Sequence, residues 1–244
     1  ILFAVVARGR WEWGLLGVAA LAAALLTVDV SFWIANLTKI PQGGWFPLAV
    51  AGAVFVLMTT WRTGREILAE RLQDLIVPVE EFLDRAREAE PTRVPGTAVF
   101  MDARPEGTPT ALLHNLEHNR VLHERVILLT VVTREVPRLE DDEDRLEVRH
   151  AEGGVYRVLA RVGFDEDPDV PALLEGSEIG GRRFELEETT FFLNRETLIA
   201  TERPGMAIWR EKLFAVMSQN AERAAEYFHI PSDRVVELGT QVEL

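Results

Sequence analysis

GLLGVAALAAALLTVDVSFWIA (residues 14–35) and GWFPLAVAGAVFVLMTTW (residues 44–61) decide the fold of this chain. The first carries a single charge, Asp29, over about 22 residues, or ~33 Å of helix. The second runs for about 18 residues, ~27 Å, near the lower limit for crossing a bilayer. A helical hairpin in a soluble core would show a polar face at a 3.6-residue period, and neither segment has one. Trp11, Trp13 and Trp33 lie at the ends of the first segment, and Trp45 and Trp61 bracket the second. Tryptophan prefers that interfacial position in bilayer helices. Two membrane-spanning helices joined by a tight turn, NLTKIPQGG (residues 36–44), are expected.

Orientation follows from the flanking cations. Arg8 and Arg10 precede the first segment, and Arg62, Arg65 and Arg71 follow the second, while the connecting loop holds only Lys39. The positive-inside rule places both outer flanks, and everything after Trp61, in the cytoplasm. Asp29 is the only ionisable group inside either segment. A carboxylate at mid-membrane costs about 2.5–3.5 kcal/mol, which the surrounding Leu, Val, Ile and Phe residues offset. Such a residue marks either a functional position or a carboxylate bonded to a neighbouring Ser, Thr or backbone group. The chain opens with ILFAVVARGR, lacking both an initiator Met and a signal-peptide pattern. This stretch reads as the cytoplasmic end of an earlier span, and the chain as the C-terminal part of a larger membrane protein.

The charge is divided unevenly. Arg8, Arg10, Lys39, Arg62, Arg65 and Arg71 against Glu12, Asp29, Glu66 and Glu70 leave residues 1–71 at +2, whereas the whole chain is at −13, so residues 72–244 carry −15. A part so acidic argues against nucleic acid as partner, since phosphate binding needs clustered Lys and Arg. The absence of cysteine excludes disulfides, thiolate metal sites and Cys nucleophiles.

Past Trp61 the apolar pattern becomes amphipathic, with Ile67, Leu68, Leu72 and Leu75 at helical spacing, so the helix is expected to continue into the cytoplasm. Pro78 interrupts it. VEEFLDRAREAE (residues 79–90) reads as a short amphipathic helix and PTRVPG (91–96) as a linker. The expected organisation is therefore residues 1–10 as the end of an upstream helix, 11–71 as the membrane part, 72–96 as helix and linker, and 97–244 as a cytoplasmic α/β domain. In that domain TAVFMDA (97–103) reads as a strand, TALLHNLEHNRVLH (110–123) as a helix, and ERVILLTVVTREV (124–136) as a strand buried on both faces. Strand, helix and strand at this spacing predict a βαβ unit with parallel pairing and a right-handed crossover. LEDDEDR (139–145) reads as an acidic turn, and residues 145–164 as a hairpin about Gly153-Gly154. VPALLEG (170–176) predicts a short helix and residues 182–201 a strand pair. Residues 206–228 predict one long helix, and RVVELGTQVEL a closing strand.

Candidate chemistry is sparse. His114 and His118, four apart, share one helical face and with His123 could hold Zn²⁺ or Ni²⁺ or titrate near neutral pH, but no HExxH pattern supplies further ligands. No P-loop, no GxGxxG after a strand and no GxSxG is present, so no cofactor is implied. EGSEIGG (175–181) has glycines without the strand-to-helix setting of a phosphate cradle. Asp102, at the end of the first βαβ strand, stands where open α/β sheets place ligands. No catalytic constellation is evident, which leaves an enzyme without support.

DVSFWIANLTKIPQGGWFPLAVAGAVFVLMTTWRTGRE resembles the last two membrane helices of the Kup/HAK/KT potassium uptake permeases. HNLEHNRVLHERVILLTV, TFFLNRETLI, RPGMAIWREKLFAVMSQNA and YFHIPSDRVVELGTQVEL continue the match in order through nearly the whole chain. The resemblance implies potassium:proton symport by a LeuT-like core of the inverted-repeat type, with a cytoplasmic C-terminal domain that is structural or regulatory. It places the ion-handling residues in earlier helices, so none is carried onto this sequence. It also implies packing of the two helices at the edge of the core, with a homodimer as one arrangement. Some related permeases answer to a cyclic dinucleotide, and no motif here shows that binding. A membrane-tethered α/β sensor of a small ligand such as a nucleotide is the alternative reading.

Overall fold

Leu15–Leu37 forms α1 and Trp45–Gln73 forms α2 in the computed structural model, which describes residues 6, 14–73, 76–139, 145–199, 201, 205–221 and 223–243. The expected end of an upstream span, its flanking Arg8, Arg10, Trp11 and Trp13, and the acidic turn at 140–144 lie outside the described residues. Both helices are long and apolar enough to cross a membrane. Between them Pro41 stands at the start of a π-helical turn, Ile40–Gly44, that closes at Gly43 with φ of 124°, a conformation costly to any other residue. At 29 residues α2 is about 43 Å long, more than a ~30 Å hydrocarbon core requires. The chain divides into two units, Ile1–Thr59 and Thr60–Leu244.

Unit one buries almost nothing. Val18 is its only buried residue among those described, and Leu16, Phe32, Trp33, Phe46 and Phe55 all face outward. Hydroxyls inside α1 are spent on the helix itself: Thr27 Oγ1 donates to Ala23 O at 2.8 Å and Ser31 Oγ to Thr27 O at 2.7 Å. Neither gives its proton to Asp29, which is exposed on α1.

Unit two is built on a six-stranded sheet. In chain order the strands are β1 (Thr92–Met101), β2 (Val121–Arg134), β3 (Leu146–His150), β4 (Val155–Gly163), β7 (Thr189–Ile199) and β8 (Val235–Glu243), with the small pair β5 (Glu178–Ile179) and β6 (Arg182–Arg183) apart. Spatially they run β3-β4-β2-β1-β7-β8, all parallel except β3, which pairs antiparallel with β4. The parallel β1–β2 pairing and the β3–β4 hairpin are those the sequence predicts. Alternate residues feed two core layers. On one face Ala98, Phe100, Val126 and Phe192 meet α3 (Val79–Ala89) through Phe82 and Ala86, and α4 (Thr110–His114, prolonged by a π turn to Asn119) through Leu112 and Leu116. On the other, Val99, Ile127, Leu129, Val158 and Phe191 meet Val170 and Leu174 of α5 (Val170–Leu174), together with Ile179, Phe184 and Ile230. A third cluster joins Leu68 of α2 to Leu198, Val242 and Phe214 of α6 (Ile208–Gln219).

Four expectations are corrected. PTRVPG enters the sheet instead of linking: β1 begins at Thr92, and a register shift between Val94 and Thr97 accommodates Pro95, which has no N–H to donate, and Gly96 at φ 98°. The helix expected over 110–123 stops at Arg120, whose φ is 52°; Asn115 Nδ2 bonds Val121 O at 2.8 Å, so the side chain ends the helix and His123 belongs to β2. Residues 182–201 do not pair with each other: β6 turns back on β5, and β7 is taken by β1 and β8. The long helix at 206–228 divides into α6 and α7 (Ala224–Tyr227), since Asn220 Nδ2 caps Val216 O at 2.7 Å.

Candidate functional site

The chain winds from β1 outward to β2 and β4, then returns to the other side of β1 for β7 and β8. That reversal makes β1 the switch point of the sheet, the position at which open α/β folds leave a crevice. The lengths of the strands deepen it. Met101, the last residue of β1, pairs with Leu129 and Leu193, while β2 continues to Arg134 and β7 to Ile199. A cleft of about 170 Å³ results, floored by Met101, Val131, Leu193 and Phe228 and edged by Asp102, Arg104, Asn194 and Glu196.

Asp102, singled out from sequence, stands at the mouth of this cleft, with its N–H bonded to Leu129 O at 3.0 Å. Its carboxylate is held by Arg104, which donates from Nε to Oδ1 and from Nη2 to Oδ2, both at 3.2 Å, while the Arg104 backbone N–H reaches Oδ1 at 3.0 Å. Arg104 Nη1 also donates to Leu72 O, in the last turn of α2, at 2.8 Å. Thr130 Oγ1 steadies the same loop through Arg104 O at 3.0 Å. One guanidinium thus ties the loop after β1 to the end of α2. A planar fork is needed for three acceptors in these directions, and lysine could not replace it. Across the cleft, burial pushes the Glu196 carboxyl above the ordinary range; Asp102 adds to the effect, and Arg65 and Arg104 oppose it. Thr240 Oγ1 fixes Asn194 through Oδ1 at 2.9 Å. The cleft therefore offers carboxylates and an amide beside a guanidinium already engaged, and among the described residues it has neither a nucleophile paired to a base nor a phosphate cradle.

Arg104, Asn194 and Glu196 were missed by the sequence reading. Only the alternation of LNRET at the end of a strand could have pointed to Asn194 and Glu196, and register alone brings β7 beside β1.

The remaining candidates disperse. The rings of His114 and His118 lie 5.7 Å apart, but His123 sits on β2, edge-on to Phe192 at 5.9 Å. Burial pushes its imidazole down toward the neutral form, and Nδ1 has no hydrogen-bond partner among the described residues. Among the described residues no three His, Asp or Glu side chains come together as a metal site. Gly180 and Gly181 of EGSEIGG form the β5–β6 turn: Gly180, at φ 67°, lies under the Tyr156 ring, where a Cβ would come within 2.2 Å. Buried Arg125 holds that turn, donating to Thr97 Oγ1 at 2.8 Å and to the carbonyls of Ile179 and Arg182 at 3.3 and 3.0 Å. A second hollow of about 150 Å³, beside Glu147, Arg149 and Arg157, is occupied structurally, since Arg157 donates to Pro105 O and to Gly107 O.

Comparison with known proteins adds what geometry does not supply. Residues 95–244 match the family model of the K+ potassium transporter C-terminal domain, and residues 1–66 match that of the K+ potassium transporter integral membrane domain. The chain belongs to the Kup family of potassium transporters. Kup-family relatives match it from end to end. It is 52% identical to the probable potassium transport system protein Kup of Myxococcus xanthus (strain DK1622) over 98% of the chain and 37% of that protein. Identity is 49% to Kup 2 of Rhizorhabdus wittichii over 100% of the chain and 37% of the relative. It is 50% to Kup of Aromatoleum aromaticum over 100% and 38%. The chain thus spans little more than a third of the length of these Kup proteins. No solved structure matches it. In Kup terms, α1 and most of α2 fall in the membrane-domain match, and the whole six-stranded sheet, but for the start of β1, falls in the C-terminal match. The cleft, bounded by Asp102 and Glu196, therefore belongs to the Kup C-terminal domain.

Proposed function

We propose that this chain takes part in potassium uptake as a potassium:proton symporter, supplying two membrane helices and a cytoplasmic domain. The observation that carries the reading is identity near 50% to potassium transport system proteins along the entire chain. In this reading residues 1–10 end an upstream helix, residues 11–71 hold spans at about 14–35 and 44–61, and residues 97–244 face the cytoplasm of a multi-pass protein in the cell membrane. Potassium and the proton pass through helices outside this chain, at the edge of a LeuT-like core, with a homodimer as the assembly. Asp29 is the one intramembrane residue here proposed to contribute. The α/β domain sets activity or supports assembly.

Potassium-limited growth of a transport-deficient bacterium tests this. Rescue is expected from the intact transporter containing this chain, and its failure despite correct insertion would sink potassium uptake. Truncation after Arg71 separates the domain's roles: loss of rescue makes it necessary, and full rescue makes it a dispensable regulator. Asp29→Asn in the intact transporter should lower uptake at unchanged expression, whereas unchanged uptake would return Asp29 to a packing role.

The switch-point cleft favours a second reading, a membrane-tethered sensor that binds a small polar ligand between Asp102 and Glu196. A metabolite library scored by thermal shift on wild type against Asp102→Asn distinguishes it, since a true ligand stabilises only the wild type.

A further inference from the structure

α6 is apolar on two sides. Its inner side packs Phe214 and Ala215 against α2 and the ends of β7 and β8. Its outer side leaves Ile208 at 46% and Trp209 at 58% exposure, with Val216 outward as well. Ile208 and Trp209 stand side by side in the first turn, an exposed apolar patch of the kind that marks contact with a partner or a membrane.

Its position on the chain identifies that partner. Arg210 Nε donates to Thr60 Oγ1 at 3.0 Å, and the Phe214 ring meets Trp61 edge-on at 5.5 Å and sits against Gly64. The first two turns of α6 are therefore fastened to residues 60–64, where the apolar run of α2 gives way to Arg62 and Arg65. Trp61 is the interfacial residue of that run, and Arg210 and exposed Lys212 add cations at the same place. Tryptophan and isoleucine beside arginine and lysine are the composition that settles into the headgroup layer, aromatic body in the acyl boundary and cations toward phosphates.

We infer that the first turn of α6 is a lipid-docking element: Ile208 and Trp209 enter the cytoplasmic interface of the bilayer. The inference rests on residues 44–61 spanning the membrane. The occupant is lipid and not a protein groove, because the patch is small, lies at the end of a span and carries cations where lipid phosphates would be. The rest of the domain is strongly acidic and would be repelled by anionic headgroups, so this turn is the place at which it holds the surface.

The chain has no cysteine, which suits spin labelling. Single labels at Ile208→Cys, at Phe55→Cys within the span and at Val148→Cys on the exposed sheet edge would be placed in the full chain, reconstituted in phosphatidylcholine/phosphatidylglycerol vesicles. Each would be read by its relative accessibility to oxygen and to a water-soluble nickel chelate. The position-208 label is expected to be several-fold less accessible to chelate than the position-148 label, with oxygen access between those of 148 and 55. Adding Trp209→Glu should return it to the chelate. Chelate access at 208 equal to that at 148 would overturn the inference. So would a label immobile and closed to both reagents, the signature of a protein cover. A position-55 label open to chelate would remove the span itself, and the inference with it.

Discussion

The Phe214 ring stands where a side chain at position 64 would begin: a Cβ added to Gly64 would come within 2.4 Å of its Cγ. Phe214 is fully buried and Gly64 lies in the C-terminal half of α2, so this close approach seats α6 on α2. A bare backbone is required on one side because the other side is a ring.

Gly64→Ala should therefore destabilise this packing by about 1–3 kcal/mol, the usual cost of overfilling a core. Phe214→Ala should cost about 3–5 kcal/mol through the cavity it leaves. Combining Gly64→Ala with Phe214→Leu should recover part of the loss, measured as thermal unfolding in detergent. Additive losses would show that the two residues do not share one contact.

Arg104→Met should free the loop after β1 from Asp102 and from Leu72 O. Losing half-buried, charge-assisted bonds of this kind costs about 1–3 kcal/mol, or roughly five- to 150-fold faster local opening. Hydrogen exchange over residues 102–107 and in the last turn of α2 should rise together, and Arg104→Lys should not restore it. Faster exchange in the loop alone would show that Arg104 does not join the two elements.

Two carboxyls should give stability slopes of opposite sign with pH. Glu166 is held below the ordinary carboxylate range by Arg145, at 2.8 Å, and by the Gly163 N–H. Its contribution is present above the unfolded pKa and is lost as pH falls through the lower folded one. Glu196 is pushed up by burial, so the folded state binds the extra proton and stability falls as pH rises from the unfolded toward the folded pKa. Glu166→Gln should flatten the acid limb of a Tm-against-pH curve, and Glu196→Gln should raise Tm at neutral pH. The reverse pattern would refute both assignments.

Arg125→Met should loosen the β5–β6 turn, whose carbonyls Arg125 gathers from inside the core. Arg182 and Arg183 are exposed trypsin sites on that turn. Cleavage there should quicken about tenfold, the equivalent of ~1.4 kcal/mol of local opening, while cleavage elsewhere stays unchanged.

Periodicity and composition were enough for most of the local structure in this chain. Unbroken apolar runs with tryptophans at their ends marked α1 and the first part of α2, a β-branched run marked β2, and Gly153-Gly154 marked the β3–β4 hairpin. Asp102 could be placed at the end of β1 because a strand boundary followed by DARPEG is visible in one dimension. Three of the four failures have one cause, and the fourth, the break after Gln219, is a local cap of Asn220 on Val216 O that the apolar period passes over. Pro95-Gly96 looked like a linker because the parallel partner that draws Thr92–Val94 into the sheet begins at Val121. His123 looked helical because the side chain that ends α4, Asn115, acts through a carbonyl six residues away. β7 looked like half of a hairpin because its real neighbours, β1 and β8, are distant in sequence. The sequence by itself determined which segments are apolar enough to leave water and which alternate as strands, since burial preference and backbone period belong to neighbouring residues. Only the tertiary structure decided that Glu196 faces Asp102 across a cleft, that Arg104 reaches Leu72 and that Phe214 rests on Gly64. Those relations depend on sheet order and helix seating, which no stretch of neighbouring residues encodes.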